Sequence, residues 1–296
     1  MTAHPTFRLW LEATRPRTLP VGAASVLTGV ALAIHLDGFH ALSAILAVIT
    51  ALLLQIAANF ANDALDFRRG ADTLERVGPT RLAASGQASA GTILVATGVV
   101  LGLAVICGLY LVMRGGWIIL ALGLASLVCA VAYTGGPFPI AYKGLGEVFV
   151  FLFFGPTAVA GTAYVQTRHW EWQMLAIAIP VGLISSATLV VNNLRDIETD
   201  RRAGKNTLAV RFGARKTILQ YRLLWLVGTI APPIFWLAGW LSWTWVVTLV
   251  AVPGIVKLWR LVGSKRGREL NMVLGATARH QLVYCLALSA ALILST

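Results

Sequence analysis

The chain has 296 residues, of which 57% are hydrophobic and 12% charged, with a mean hydropathy of +0.76 and a net charge of +12. Soluble domains carry about twice that charged fraction, so the composition excludes an ordinary soluble domain and points to an all-α, polytopic membrane protein. The positive charge is not read as a nucleic-acid footprint, because the bases sit beside apolar runs, where they orient spans and meet anionic lipid.

Bases precede a first apolar run that is too long for a secretory signal, and no soluble domain follows it. Most of the apolar runs along the chain are about 18–22 residues long, the length that crosses a bilayer as helix. Nine spans are expected, near 19–36, 42–61, 91–113, 116–134, 146–166, 173–193, 219–238, 241–259 and 279–295, in one integral-membrane domain over residues 1–296. Pro232, Pro233 and Pro253 fall inside the seventh and eighth runs. Such prolines are tolerated where neighbours satisfy the freed carbonyls. Of the 24 Lys and Arg residues, all but Arg114 and Arg168 fall on the face of the N-terminus and the even-numbered loops. The positive-inside rule places that face in the cytoplasm. Cys107, Cys129 and Cys285 fall within spans without metal-site spacing and read as small core residues.

The 12 acids are clustered. Asp63, Asp66, Asp72 and Glu75 follow the second span, and Asp196, Glu198 and Asp200 follow the sixth. Both groups lie on the cytoplasmic side of the nine-span arrangement, which hints at an internal duplication. Asn59, Asn62, Asp63 and Asp66 are spaced i, i+3, i+4, i+7, and Asn192, Asp196 and Asp200 are spaced i, i+4, i+8, so each set shares one helix face. Gly70 is expected to end the first of these helices, with Asp72 in the loop beyond. A bland alternative is that these acids are solvated or paired with nearby Arg. Against it, Asp at a helix C-terminus opposes the macrodipole, and amides at membrane depth usually face a bundle interior.

Two carboxylate faces meeting in one cavity need a cation between them. Carboxylates and amide oxygens suit Mg²⁺, which shares its shell readily with phosphate oxygens. The expected metal ligands are therefore Asn59, Asp63, Asp66, Asn192, Asp196 and Asp200. Arg68, Arg69, Lys143, Arg195, Arg201 and Lys205 are candidates to hold a phosphate group directly. Acids for metal, bases for diphosphate and an apolar bundle behind them describe a site for a lipid diphosphate at the membrane surface.

At these residues the chain resembles the UbiA-type intramembrane prenyltransferases. "NDALDFRRGAD" and "NNLRDIETDRRAGKNTLA" are similar to that family's two aspartate-rich motifs, and "RPRTLP" at 15–20 precedes the first span. The resemblance runs over nearly the whole chain. Further stretches, "RVGPTRLAASGQ" (76–87), "YTGGPFPIAYKGLGEVFVFLFFGP" (133–156) and "LNMVLGATARHQLVYCLAL" (270–288), are most similar to members that prenylate 1,4-dihydroxy-2-naphthoate. The resemblance implies nine helices around a central cavity open to lipid, with cytoplasmic caps. It implies Mg²⁺ bridging the aspartates and a polyprenyl diphosphate, and catalytic roles for Asp63, Asp66, Asp196, Asp200 and Lys143. Asn59, Asn62, Arg68, Arg69, Asp72, Tyr142, Asn192, Arg195, Arg201 and Lys205 would contact substrate. The implied reaction releases CO₂ and diphosphate and gives demethylmenaquinone, in the inner membrane. The family's first motif often carries a third aspartate four residues after the second. Here that position is Gly70, and Asp72 either takes its place or pairs with Arg69.

Several residues keep two readings. Tyr142-Lys143 either contacts diphosphate or does not, and Glu147 is a catalytic base or a capped loop acid. Arg15 and Arg17 face the acceptor's carboxylate or anchor the first helix. His280, alone near the last span, reads as structural, and most of the ten Trp read as an interfacial belt. Rival functions are prenylation of 4-hydroxybenzoate, homogentisate or a porphyrin and, from another class, cation-coupled transport.

Overall fold

The computed structural model describes residues 7–71, 77–78 and 81–295, and all of the regular structure among them is helical. A short helix, α1 (Phe7–Ala13), leads into α2 (Leu19–His35) and α3 (Ala41–Arg68). The long α4 (Ala90–Ala132) is two spans in one, broken where Gly116 adopts φ +68°. A short 3₁₀ turn, Ile140–Lys143, precedes α5 (Gly146–Leu152), which passes through a π-helical stretch (Phe153–Ala160) into α6 (Gly161–Thr167). Then follow α7 (Trp172–Arg195), α8 (Ile197–Arg202) and α9 (Leu208–Leu237). A 3₁₀ segment, Trp243–Ala251, runs into α10 (Val252–Ser264), and α11 (Leu270–Ile293) closes the chain. Six of these helical stretches are long and apolar enough to cross a membrane. With α4 counted as two spans and α2 and α11 added, nine apolar passes result among the described residues. This is a multi-pass membrane fold.

The sequence-based boundaries shift at several places, among them the start of α9 at Leu208 against the expected 219. The helix of the second pass continues beyond the span end expected at residue 61 to Arg68, so Asp63 and Asp66 lie inside α3 and Gly70 follows its end, as the spacing implied. The last pass begins at Leu270, well before residue 279, because Asn271, Thr277 and Gln281 interrupt the apolar run. Thr277 and Gln281 point inward and are fully buried. The second acid group is not on one continuous helix. Asp196 closes α7 with φ −99° and ψ 10°, and Asp200 lies on α8. The hydrogen bonds Asp196 N→Asn192 O and Asp200 N→Asp196 O nevertheless carry the i+4 relation across the joint.

The most enclosed pass is α7. Gly155 and Gly182 let the π-helical stretch and α7 touch backbone to backbone, since a Cβ on Gly155 would lie 2.8 Å from Ala178 O and 2.9 Å from Gly182 Cα. This small-residue crossing is common where apolar driving force between spans is weak. Pro232 of α9 is accommodated as expected from the sequence. Pro232 has no N–H for Gly228 O, and Tyr284 Oη donates to that carbonyl at 2.6 Å. Of the two bases that depart from the charge asymmetry, Arg114 donates to Val165 O and Gln166 O, both at 3.0 Å, and so satisfies the end of α6. Trp117, Trp170, Trp172 and Trp243 are exposed at span ends. His280 Nε2 bonds Ala251 O at 2.7 Å, a packing role.

Candidate active site

A cavity of about 1340 Å³ occupies the bundle. Asn59, Asn62, Asp63 and Asp66 of α3 line it, and so do Asn192, Asp196 and Asp200 from the α7–α8 joint. The two groups expected from helix spacing to share a site therefore do so. Deeper in, the wall is apolar, with Leu54, Phe149, Phe153, Phe154 and Leu189 among its residues.

Local capping places each acid. Gly70 (φ +71°) ends α3 with Ala71 N bonded to Asp66 O and Gly70 N to Phe67 O. Gly204 (φ +69°) ends α8 with Lys205 N bonded to Asp200 O and Gly204 N to Arg201 O. Both are Schellman caps, in which a left-handed residue, usually Gly, satisfies the last carbonyls. Asp66 and Asp200 thus occupy the same position of two equivalent helix ends, each four residues before the glycine.

Charge on these acids is balanced locally. Asp63 is almost fully buried, and its two oxygens accept from Leu82 N at 3.0 Å and Ala83 N at 3.1 Å. Asp66 accepts from Tyr142 Oη at 2.8 Å and faces Arg81 at 3.4 Å and Lys205 at 3.7 Å. Arg195 grips Asp196 through Nε (2.8 Å) and one terminal nitrogen (2.6 Å), and also reaches Asn192 Oδ1 (2.8 Å) and Asn271 Oδ1 (2.7 Å). Asn271 in turn donates to Val77 O at 3.2 Å, which ties α11 to the segment after the first motif. Asn59 donates to Thr14 O at 2.9 Å, and Asn62 Oδ1 accepts from Thr134.

The other sequence candidates divide. Arg195 and Lys205 line the cavity. Arg68, Arg69, Lys143 and Arg201 are exposed and do not line it. Arg69 donates to Gly136 O and lies over the Tyr142 ring, Lys143 lies over Phe138, and Arg201 pairs with Glu198. Helix spacing could not exclude them, because each lies at the edge of a face whose neighbour lines the site. Tyr142 is outside the lining, and its hydroxyl orients Asp66. Asp72 lies outside the described residues. Arg15 and Arg17 line the cavity, together with Arg81 and Arg268. Arg81 and Asn271 were in stretches noted for similarity but carried no individual signal. A lone base after a loop and an amide within an apolar run show no spacing with the acids they serve. Glu147 is not a loop acid. It stands in the first turn of α5, buried and lining the cavity.

Hard oxygen donors around one charged cavity mouth fit Mg²⁺ in chemical type. In this conformation no three acid, His or Cys side chains among the described residues converge as a ligand cluster. Asp63 and Asp196 direct both carboxylate oxygens to internal partners instead.

Residues 23–292 match the model of the UbiA prenyltransferase family. The chain is 42% identical over 288 residues to a 1,4-dihydroxy-2-naphthoate octaprenyltransferase of Mycobacterium tuberculosis, covering 97% of each chain. It is 38% identical over 260 residues to the enzyme of that name in Escherichia coli, covering 86% of this chain and 84% of the relative. The fold is similar to a UbiA homologue of Archaeoglobus fulgidus solved with DMAPP and Mg²⁺, with TM-score 0.67, 14% identity, and coverage of 97% of this chain and all (100%) of that one. With both aspartate-rich motifs lining one cavity in an all-helical bundle, the chain belongs to the UbiA prenyltransferase family.

Proposed function

We propose that this chain transfers a polyprenyl group from polyprenyl diphosphate to 1,4-dihydroxy-2-naphthoate, with loss of CO₂ and diphosphate, giving the diol (reduced) form of demethylmenaquinone in menaquinone synthesis. The observation that carries it is the junction of two environments in one cavity. Acids from α3 and the α7–α8 joint, with Arg81, Arg195 and Lys205, line its polar part, and an apolar wall suited to a prenyl chain continues from them. The relatives' names support the naphthoate as acceptor.

Asp66 and Asp200, with Asn59, Asp63, Asn192 and Asp196, would hold Mg²⁺. Bound there, Mg²⁺ supplies positive charge to the leaving diphosphate. Arg81, Arg195 and Lys205 add fixed donors for the same charge. The apolar wall keeps water from the allylic cation-like group, and Phe149 and Phe153, stacked with centroids 6.1 Å apart, present aromatic faces to it. The N-terminus and the acid groups are assigned to the cytoplasmic side of an inner membrane, from the distribution of bases.

The test uses purified protein in liposomes with Mg²⁺, radiolabelled polyprenyl diphosphate and 1,4-dihydroxy-2-naphthoate, beside a tube with 4-hydroxybenzoate. A prenylated, decarboxylated product that vanishes with EDTA and in Asp63→Ala is expected. Product with 4-hydroxybenzoate alone would overturn the acceptor and keep the chemistry.

A further inference from the structure

The assignments above leave one step without a residue. The aromatic acceptor must lose a hydroxyl proton to become a strong carbon nucleophile, and the acids of both motifs are committed to cations, backbone N–H groups and metal. Glu147 is the remaining acid in the interior of the cavity. It is more than nine-tenths buried. Asn193 Nδ2 donates to its Oε1 at 2.9 Å, and Ser186 Oγ donates to its backbone carbonyl at 3.0 Å. Both contacts come from α7: the first anchors one carboxylate oxygen and the second the backbone that carries the side chain. Its second oxygen, Oε2, is buried without a hydrogen-bond partner among the described residues. A buried acceptor left so is costly, more so when charged; Glu147 lines the cavity, and a turn of its carboxylate would bring this oxygen to a ligand hydroxyl and relieve that cost.

Its position suits this role. Asn193 adjoins Asn192 of the second motif, and Thr188, one helical turn away from Asn192 towards the apolar interior, also lines the cavity. Glu147 therefore stands beside the second motif, where the polar part of the cavity gives way to the apolar wall. Tyr133 stands at the end of α4. Its hydroxyl packs against Gly146, where a Cβ would lie 2.9 Å from the oxygen. Tyr133 also lines the cavity.

We propose that Glu147 is a catalytic residue that takes a proton from the acceptor's ring hydroxyl and returns it. The inference rests on the naphthoate reading above. Oε2 removes the proton of the hydroxyl beside the carboxylate-bearing carbon, and the oxygen's electrons flow into the ring. That carbon forms the new C–C bond as the allylic C–O bond breaks, and the bonding pair leaves with diphosphate. The intermediate is a β-keto carboxylate. It loses CO₂, the pair of the broken C–C bond becomes an enolate, and the enolate oxygen takes the proton back from Glu147. No oxidant or reductant enters, and the product is the aromatic diol.

The test compares wild type with Glu147→Gln, which preserves size and an acceptor for Asn193. Binding of radiolabelled polyprenyl diphosphate with Mg²⁺ is measured alongside steady-state turnover with two acceptors. One is 1,4-dihydroxy-2-naphthoate, and the other is an analogue whose ring hydroxyl is made more acidic by an electron-withdrawing substituent. Expected are unchanged diphosphate binding and a fall in kcat of roughly 10²–10⁴-fold with the natural acceptor, the range for general acid–base groups. The deficit should shrink with the acidic analogue, whose proton needs no base. An equal deficit on both acceptors, or wild-type kcat in the variant, overturns the proposal. Should Glu147→Gln lose diphosphate binding, Asn193→Ala replaces it, with a smaller fall in kcat and the same narrowing on the acidic analogue expected. Wild-type protein that prenylates 4-hydroxybenzoate and not the naphthoate overturns the acceptor reading, and this inference with it.

Discussion

Asp63 accepts the backbone N–H of Leu82 at 3.0 Å, and its other oxygen accepts that of Ala83 at 3.1 Å. The first-motif acid therefore caps the start of the segment that follows the loop beyond α3. Each of these oxygens keeps a second lone pair, so a Mg²⁺ held at Asp63 would share the carboxylate with the two N–H groups and draw charge away from both bonds.

The first prediction follows. In hydrogen exchange, adding Mg²⁺ with a diphosphate should change the protection of residues 81–88, and in Asp63→Ala that segment should lose protection with or without metal. Turnover in Asp63→Ala should fall by at least about 10²-fold, as for loss of a group acting on the developing charge. Protection at 81–88 that ignores both metal and mutation would sink the link.

A second prediction concerns Arg195. Its guanidinium holds Asp196, Asn192 and Asn271 at once. Lysine has one point charge and no planar fork, so Arg195→Lys keeps the charge and loses the three-way geometry. Breaking part of a buried charged network typically costs about 3–5 kcal/mol. The remaining charge should moderate this, so thermal unfolding in detergent should move down by a few degrees. Asn271→Leu should show a smaller drop, with a raised Mg²⁺ requirement in assays. A Mg²⁺ titration of Asn271→Leu that matches wild type would show that the Asn271 contact does not reach the metal site.

The periodic features were legible from the sequence. Asn59, Asp63 and Asp66 repeat at helical spacing, so their common face followed from geometry alone, and the cavity does lie on that face. Tertiary partners were not legible. Nothing in "RVGPTRLAASGQ" tells that Leu82 and Ala83 offer their N–H groups to a carboxylate on α3. Lys143 and Glu147 sit four residues apart, yet one projects outward over Phe138 and the other into the cavity. The left-handed Gly144 (φ +73°) between them turns the chain. A local signal cannot choose between those two directions, because the choice depends on how α5 packs against α7.

A third prediction is purely structural. Tyr284→Phe removes the hydroxyl that fills the carbonyl freed by Pro232. Gly228 O would then be unsatisfied within a span, at a cost of about 1–3 kcal/mol. The variant should unfold at a lower temperature in detergent while its KM for both substrates stays at the wild-type value. Unchanged stability would mean that another donor reaches Gly228 O.

The fourth prediction uses the equivalence of the two helix ends. Gly70 and Gly204 have φ +71° and +69°, and an added Cβ at either meets nothing within 4 Å. Alanine there would suffer only from backbone conformation, about 1–2 kcal/mol in the left-handed region. The helix end would relieve that strain by unwinding, and the residue released is Asp66 in one case and Asp200 in the other, since each carbonyl accepts the closing hydrogen bond. Gly70→Ala and Gly204→Ala should therefore lower kcat by roughly tenfold, equivalent to about 1.4 kcal/mol of misplacement at the acids proposed to hold Mg²⁺. Asn, which tolerates this conformation, should recover most of the loss at both sites. Gly102→Ala in α4, also with open space around the Cβ but in ordinary helix, is the control and should be neutral or stabilising by up to about 1 kcal/mol. If Ala at 70 and 204 behaves like Ala at 102, the caps do not set the positions of Asp66 and Asp200. If only one site responds, the two motifs are alike in backbone and unequal in their hold on the metal.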